Sequence, residues 1–155
     1  MPKICDHKSV GMLVWRDKKL LLIKRKKPPF GFAPPAGHID QDSSYETAAQ
    51  RELKEEVGLE TKNIKLLIDG YKNNPCRRLG GAWHYWQIYQ IKAAGLVKRS
   101  KDETKQAGFY TKTDLLKLAK KTEKYLKGDV KLADWEKSPG LEPVWYKWLK
   151  ELKII

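Results

Sequence analysis

The sequence predicts an α+β fold, in which helices pack in layers against a β-sheet. Several short apolar runs with the composition of strands surround one long helical segment, and further helical segments follow towards the end of the chain. The 155 residues are 41% hydrophobic, so the chain can bury a sizeable core. Because no repeat or linker divides it, we expect a single domain over residues 1–155.

The first elements should be a β-hairpin and a loop. Residues 7–15 and 19–26 are apolar runs, and the polar residues 16–18 between them are typical of a turn. Proline and glycine interrupt the next stretch, so residues 27–43 are predicted to form a loop with at most a short strand.

A long helix should follow this loop. Ser43 precedes Glu46 by three residues, which is the spacing of a capping box, and Ser44 is the alternative N-cap. The helical pattern continues to about Val57, and Gly58 should end the helix.

The rest of the chain should contain three strands and two helices. Residues 65–71, 82–91 and 107–111 have strand-like composition. A second helix should open at residues 113–116. A last helix, about residues 142–152, has apolar side chains at helical spacing: Val144, Trp145, Trp148 and Leu152.

The formal net charge is +13, from 32 Lys and Arg against 19 Asp and Glu. Such an excess attracts polyanions, including nucleotides and RNA. However, 26 of the 32 basic residues are lysines spread over nearly every segment, whereas a nucleic-acid groove is expected to be a confined, arginine-rich stripe. We therefore favour a nucleotide-derived small molecule over nucleic acid as the partner.

Composition also bears on the compartment. No run of 18 apolar residues predicts a membrane helix, and residues 1–6 lack the apolar core of a signal peptide. The two cysteines, Cys5 and Cys76, have neither metal-ligand spacing nor the number needed for a disulfide framework. We expect a cytoplasmic protein with two reduced thiols, not bound to membranes; its oligomeric state is left open.

Three glutamates stand out in residues 51–59, which read RELKEEVGL. On a helix that advances about 100° per residue, Glu52, Glu55 and Glu56 fall within one arc of roughly 100°. Like charges at this spacing destabilise a helix by roughly 0.2–0.5 kcal/mol per pair. A bound divalent cation such as Mg²⁺ would reverse that penalty. Taken alone, the triplet is better explained by a solvated acidic face.

The surrounding residues favour the cation. Residues 37–59, GHIDQDSSYETAAQRELKEEVGL, resemble the signature of Nudix hydrolases, G-x5-E-x7-R-E-U-x-E-E-x-G-U with U an apolar residue. The agreement covers Gly37, Arg51, Glu52, Leu53, Glu55, Glu56, Gly58 and Leu59. Ser43 replaces the first glutamate, which in the family supports the arginine. Asp40, Asp42 or Glu55 is the alternative support for Arg51.

The resemblance implies a Nudix-type α/β/α sandwich around a mixed β-sheet. It also implies that Glu52, Glu55, Glu56 and the backbone carbonyl of Ala36 hold Mg²⁺ or Mn²⁺ on a substrate diphosphate. Such ions neutralise charge that develops in the transition state and lower the pKa of a bound water.

Family members differ in their general base. Some use a glutamate of the signature, so Glu55 and Glu56, supported by Arg51, are the candidate catalytic residues here. Others take the base from the loop before a late strand, where this chain has Glu103. Arg25 ends an apolar run at a place where the family often has a phosphate-binding arginine, and guanidinium geometry suits phosphate oxygens.

Residues 75–86, PCRRLGGAWHYW, are a second unusual segment. Arg77 and Arg78 are adjacent, so on an extended chain they would point to opposite faces and only one would reach the substrate. Trp83 and Tyr85 share a face that could stack a base, or they could belong to a half-buried strand.

Two other residues near these segments have more than one interpretation. Phe32, before the signature, could line the same pocket as the aromatic residues of the strand. His84 is more simply a hydrogen-bonded strand histidine than a general acid.

These observations predict a Mg²⁺-dependent Nudix pyrophosphohydrolase. It would cleave a diphosphate bond in a nucleoside-diphosphate-linked compound by attack of water on phosphorus. The alternatives are a pyrophosphatase of nucleoside triphosphates or oxidised nucleotides, an RNA 5′-end pyrophosphatase, and a catalytically weak Nudix-like binding module, the last because of Ser43.

Overall fold

The computed structural model describes residues 3–155; Met1 and Pro2, the first residues of the segment inspected for a signal peptide, lie outside it. In chain order the elements are β1 (Lys8–Arg16), β2 (Lys19–Arg25), β3 (Phe32–Ala33), β4 (Ala36–His38), α1 (Tyr45–Val57), β5 (Glu60–Lys72), β6 (His84–Ala94), β7 (Thr104–Tyr110), α2 (Lys112–Leu126), α3 (Leu132–Lys137) and α4 (Pro143–Glu151). None of the helices between residues 3 and 155 is long and apolar enough to cross a membrane.

The seven strands form a mixed sheet. Its main order is β3-β2-β1-β6-β5, with β4 paired to β1 and β7 paired to β2. Strands β1 and β6 are parallel, and the other pairs are antiparallel. The predicted hairpin is β1–β2, and its turn uses positive φ angles at Asp17 and Lys18, as a tight two-residue hairpin turn requires.

Two faces of the sheet are covered, which confirms the predicted layered α+β fold. Alternate residues of a strand point to opposite faces. One face packs on α1, through the buried residues Val10, Met12, Leu21, Ile23, Tyr89 and Ile91 against Ala48, Ala49, Leu53 and Val57. The other packs on α2 and α4, through Leu13, Leu20, Leu22, Trp86 and Ile88 against Leu115, Ala119, Trp145 and Trp148.

Some local predictions need correction. Ser44, not Ser43, is the N-cap of α1, because its hydroxyl accepts from the Thr47 amide at 3.0 Å. Residues 27–43 contain two short strands, and α3 was not predicted from the sequence. Helix α1 ends as expected at Gly58, which has φ 71° and donates its amide to the Lys54 carbonyl.

Candidate active site

A cleft of about 780 Å³ opens beside α1. Its walls come from β4, α1, the loop of residues 73–83 between β5 and β6, and the loop of residues 95–103 before β7. Four of the six arginines of the chain line it, namely Arg25, Arg51, Arg77 and Arg78. Of the 26 lysines, all within the described residues, only Lys3 lines it. The arginines are therefore concentrated at the cleft, although the positive charge as a whole is dispersed.

The acidic wall of the cleft consists of Glu52, Glu55 and Glu56 on α1. Burial of the neighbouring apolar stripe of α1 turns these carboxylates towards β4. The Ala36 amide donates to Glu56 Oε2 at 3.4 Å. A Cβ at Gly37 would lie 2.2 Å from the Glu52 carboxyl carbon, so any side chain at that position would displace the Glu52 carboxylate.

Crowding and burial disfavour negative charge at this wall. Burial raises the pKa of Glu52 to about 7, although the nearby Arg51 opposes the shift. Burial, followed by repulsion from Glu52, raises the pKa of Glu56 well above its usual range. Half-buried carboxylates that share a cleft fit a divalent cation, because the cation would relieve their repulsion through oxygen ligands. The residues present therefore suit the metal that the signature implies.

Arg51 organises the support of this wall. Its Nε donates to Asp42 Oδ2 at 2.8 Å, and Nη1 donates to Glu52 at 2.9 Å and to Glu55 at 3.1 Å. Nη2 donates to the His38 carbonyl at 3.1 Å. Of the alternatives left open for the missing glutamate at position 43, Asp42 and Glu55 both contact Arg51. Asp40 is engaged elsewhere.

The basic wall lies in loop 73–83. Arg78 makes a bidentate ion pair with Asp40, and Arg77 Nη2 lies 3.6 Å from Glu103 Oε2. Both arginines line the cleft, so the expectation that only one would reach it is wrong. The reason is that residues 73–83 do not form an extended strand, and β6 begins only at His84.

Arg25 and Glu142 meet at the edge of the cleft. Arg25 Nε lies 3.9 Å from Glu142 Oε1, and Glu142 is only 6% exposed. Burial raises the pKa of Glu142, and the charge of Arg25 opposes that shift. Glu142 carries no sequence pattern that would mark it, since it merely precedes α4.

Three of the proposed substrate contacts lie away from the cleft lining. Phe32 is buried in the core, edge-on to Tyr110. Trp83 is 42% exposed and stacks on His7 with ring centres 4.0 Å apart. Tyr85 donates to Asp69 at 2.6 Å. The opposite face of β6, with His84, is the one that faces the cleft.

A second, smaller cavity of about 290 Å³ adjoins the cleft, and the two share Pro29, Asn74, Pro75 and Glu142. Its walls include Phe30, Tyr125 and Trp135, and the last two rings stack at 4.1 Å. The sequence gives no indication of this cavity, because its walls depend on α3 and on the packing of α2 against it.

Two histidines and both cysteines also meet at the cleft margin. Cys5 Sγ lies 3.3 Å from His84 Nε2, 3.7 Å from His38 Nε2 and 3.8 Å from Cys76 Sγ. Burial lowers the pKa of His38 to about 4 and also lowers that of His84. The positions of these four residues in the sequence do not match the ligand spacing of a known metal-binding motif, so the sequence does not indicate that they lie together.

Comparisons with known proteins agree on one family. Residues 6–129 match the NUDIX domain. The chain is 37% identical over 122 residues to an ADP-ribose pyrophosphatase of Methanocaldococcus jannaschii, an alignment that covers 77% of this chain and 70% of that protein.

Solved structures share the fold. A NUDIX-family hydrolase from Clostridium perfringens superposes with a TM-score of 0.62 at 18% identity, over 94% of each chain. A MutT NUDIX hydrolase from Burkholderia pseudomallei gives 0.61 at 24% identity, over 69% of this chain and 84% of that one. The chain belongs to the Nudix family, whose hydrolases act on phosphoric anhydride bonds.

Proposed function

We propose that this protein is a Mg²⁺-dependent pyrophosphohydrolase that acts on ADP-ribose or a closely similar nucleoside-diphosphate-linked sugar. Attack of water on one phosphorus would break the P–O–P bridge and release AMP and ribose 5-phosphate. The substrate class is supported by the relative from Methanocaldococcus jannaschii, which is named for this activity and is 37% identical.

The observation that carries the proposal is the charge of the cleft. The three glutamates of α1 and four of the six arginines line one cavity, together with Glu103 and Glu142. A guanidinium group can donate two parallel hydrogen bonds to two oxygens of one phosphate, whereas a lysine ammonium group does not make this bidentate contact. A diphosphate between the two walls would contact Arg77 on one side and lie near the glutamates on the other.

Nudix enzymes use divalent metal ions, and in this chain Glu52, Glu55, Glu56 and the Ala36 carbonyl would hold them. Hard carboxylate and carbonyl oxygens favour Mg²⁺, with Mn²⁺ as the usual substitute. When bound, such ions neutralise the diphosphate and acidify a water ligand. Arg51 keeps Glu52 and Glu55 in place through its two contacts of 2.9 and 3.1 Å.

Glu103 is our candidate for the group that accepts the proton of the attacking water. It lies in the cleft, its side chain is about half exposed, and Arg77 is its partner at 3.6 Å. Because the Glu103 carboxylate is in contact with solvent in the cleft, it can accept a proton from a water molecule there.

The smaller cavity is our candidate for the nucleoside. Its aromatic lining suits a purine ring, and because it shares four lining residues with the cleft, a nucleoside there would keep its diphosphate near the arginines.

A substrate panel with product analysis tests the proposal. ADP-ribose, other nucleotide sugars, nucleoside triphosphates, oxidised nucleotides and 5′-triphosphate RNA are incubated with Mg²⁺ or Mn²⁺. We expect AMP and ribose 5-phosphate from ADP-ribose at the highest kcat/KM, and turnover at least roughly 10²-fold slower from Glu56→Gln. Preferred release of pyrophosphate from a triphosphate, or a preferred RNA substrate, would replace the proposal. Binding without turnover of any compound would favour a binding module.

A further inference from the structure

The chain has two cysteines and three histidines, and four of these five residues form one cluster. Cys5 precedes β1, His38 ends β4, Cys76 lies in loop 73–83 and His84 begins β6. One ligand atom from each residue lies within 4.8 Å of all the others. The cluster therefore joins three distant parts of the sequence, around residue 5, around residue 38 and within residues 76–84.

The spacing within the cluster matches a tetrahedral ion. Zinc bonds of about 2.3 Å to sulfur and about 2.0–2.1 Å to nitrogen place two sulfur ligands about 3.8 Å apart, and sulfur about 3.6 Å from nitrogen. Cys5 Sγ lies 3.8 Å from Cys76 Sγ, and 3.3 and 3.7 Å from the Nε2 atoms of His84 and His38. The sulfur separation is well above the bond of about 2.05 Å in a disulfide.

One backbone amide donates to each sulfur. The His7 amide donates to Cys5 Sγ at 3.3 Å, and the Arg78 amide donates to Cys76 Sγ at 3.4 Å. In each case the donor is two residues after the cysteine. A Cβ at Gly81 would lie 2.1 Å from Cys76 Sγ, so the loop folds closely over that sulfur. Hydrogen bonds from such donors to ligating groups are the usual support of a metal site.

We propose that Cys5, His38, Cys76 and His84 bind one Zn²⁺ ion. Soft thiolates with imidazoles select zinc over the hard cations that suit the glutamates of α1. Four protein ligands complete the tetrahedron, so the ion has no open position and its role is structural. Cys5 and His84 are buried, at 4% and 1% exposed, whereas His38 and Cys76 are partly exposed and face the cleft, from which an ion could enter.

The ion would hold the basic wall against the rest of the cleft. Loop 73–83 is otherwise attached through a few contacts, including the Cys5 amide to the Leu79 carbonyl at 2.9 Å and the Leu79 amide to the Lys3 carbonyl at 2.9 Å. Arg77 and Arg78 directly follow Cys76. Zinc at Cys76 would therefore fix the start of the segment that carries both arginines.

Metal analysis of the purified protein tests this inference without any assay of hydrolysis. After dialysis against metal-free buffer, elemental analysis should find about one zinc per chain. Cys76→Ser and His84→Asn should reduce zinc to background. His7→Asn is the matched control, since it removes the remaining histidine and should keep one zinc. Glu56→Gln should also keep it, which separates this ion from any ion at the glutamates.

Cobalt replacement provides a measurement on the wild-type chain, in case a variant fails to fold. Metal-free protein titrated with Co²⁺ should develop the visible bands of tetrahedral, thiolate-bound cobalt, and added Zn²⁺ should abolish them. A wild-type protein that holds no zinc and gives no such bands would overturn the proposal. So would zinc retained by Cys76→Ser, or a thiol titration that finds Cys5 and Cys76 joined as a disulfide.

Discussion

The two walls of the cleft differ in charge and in how the chain builds them. The acidic wall belongs to one helix, whose buried face fixes Glu52, Glu55 and Glu56 together. The basic wall is a loop without helix or strand, attached by contacts with distant segments. Changes at the acidic wall should therefore act mainly on turnover. Changes at the basic wall should act mainly on substrate affinity and on stability.

The largest effect is expected at the acidic wall. Glu56→Gln should lower kcat by at least roughly 10²-fold, because on the proposed mechanism it removes an anionic metal ligand from a site where charge stabilisation dominates catalysis. The metal-free variant should be at least as stable as wild type, since burial disfavours the charged form of Glu56. Glu46→Gln, on the exposed first turn of the same helix, is the control. Turnover near the wild-type value in saturating Mg²⁺ would discard Glu56 as a ligand.

At the basic wall, Arg77→Ala should raise KM by roughly 10–150-fold, the loss of a charge-assisted hydrogen bond of about 1.5–3 kcal/mol. Its kcat should change much less. Arg78→Ala should raise KM and also lower Tm by a few degrees, because it breaks the bidentate pair with Asp40. Lys65→Ala, which removes an equal charge on exposed β5, is the control. KM is measured by kinetics and Tm by calorimetry. If both variants instead lowered kcat with unchanged KM and Tm, the distinction between the two walls would be contradicted.

A smaller effect is expected from the support of Arg51. Asp42→Ala removes the 2.8 Å contact to Arg51 Nε, and the apparent Mg²⁺ affinity should fall by about 10–100-fold. Ser43→Glu in the same variant should restore part of it by returning a carboxylate to the position where the family has one. Metal titrations of kcat measure both changes. Unchanged Mg²⁺ affinity in Asp42→Ala would show that Glu55 alone supports Arg51.

The acidic wall should also make stability depend on pH. The pKa of Glu52 is raised from 4.5 to about 7 in the folded protein without metal. Between these two pH values the Glu52 carboxyl is protonated in the folded protein and ionised in the unfolded chain. This contribution, on the order of 3 kcal/mol, is complete below about pH 4.5 and is lost as the pH rises through about 7. Melting curves with a chelator should show that loss, and Mg²⁺ should reduce it. Glu52→Gln should make the profile shallower and leave the contribution of Glu56, whose pKa burial also raises; a profile as steep as wild type would assign the loss to other groups.

The smallest effect is expected outside both walls. Trp83→Ala should leave KM unchanged and cost about 0.5–1.5 kcal/mol of stability, the value of its stacking on His7. Tyr125→Ala, which removes the half-buried ring that stacks on Trp135 in the smaller cavity, should raise KM for ADP-ribose. The reverse pattern would place the base on the Trp83 face of β6.

The side-chain positions of a wall can be predicted from the sequence when residues close together in the chain determine them. The positions of Glu52, Glu55 and Glu56 follow from helical periodicity, because five consecutive residues on a helix fix their own relative directions. The partner of Arg51 was one of three alternatives, since the conformation of the loop before α1 decides it. Cys5 and Cys76 are 71 positions apart, and nothing near either one indicates the other.

The other predictions that the structure corrects also concern residues whose positions depend on distant segments of the chain. Arg77 and Arg78 were placed on an extended strand, whereas the chain there forms a loop that turns both towards the cleft. Phe32 lies in the core because β3 pairs with β2 and makes a bridge to Leu141, more than 100 residues later. Side chains along β6 alternate between the two faces of the sheet, as the sequence predicts. Which of these faces meets the cleft depends on the positions of β4 and α1.

The most direct test of the account is the position of the diphosphate. A crystal structure of Glu56→Gln with Mn²⁺ and a non-hydrolysable ADP-ribose analogue would locate the metal by its anomalous signal. We predict the metal at Glu52 and Glu55, and the diphosphate between it and Arg77, within hydrogen-bond distance of the guanidinium. A diphosphate bound outside the cleft, or within it but without contact to Arg77, would contradict the account.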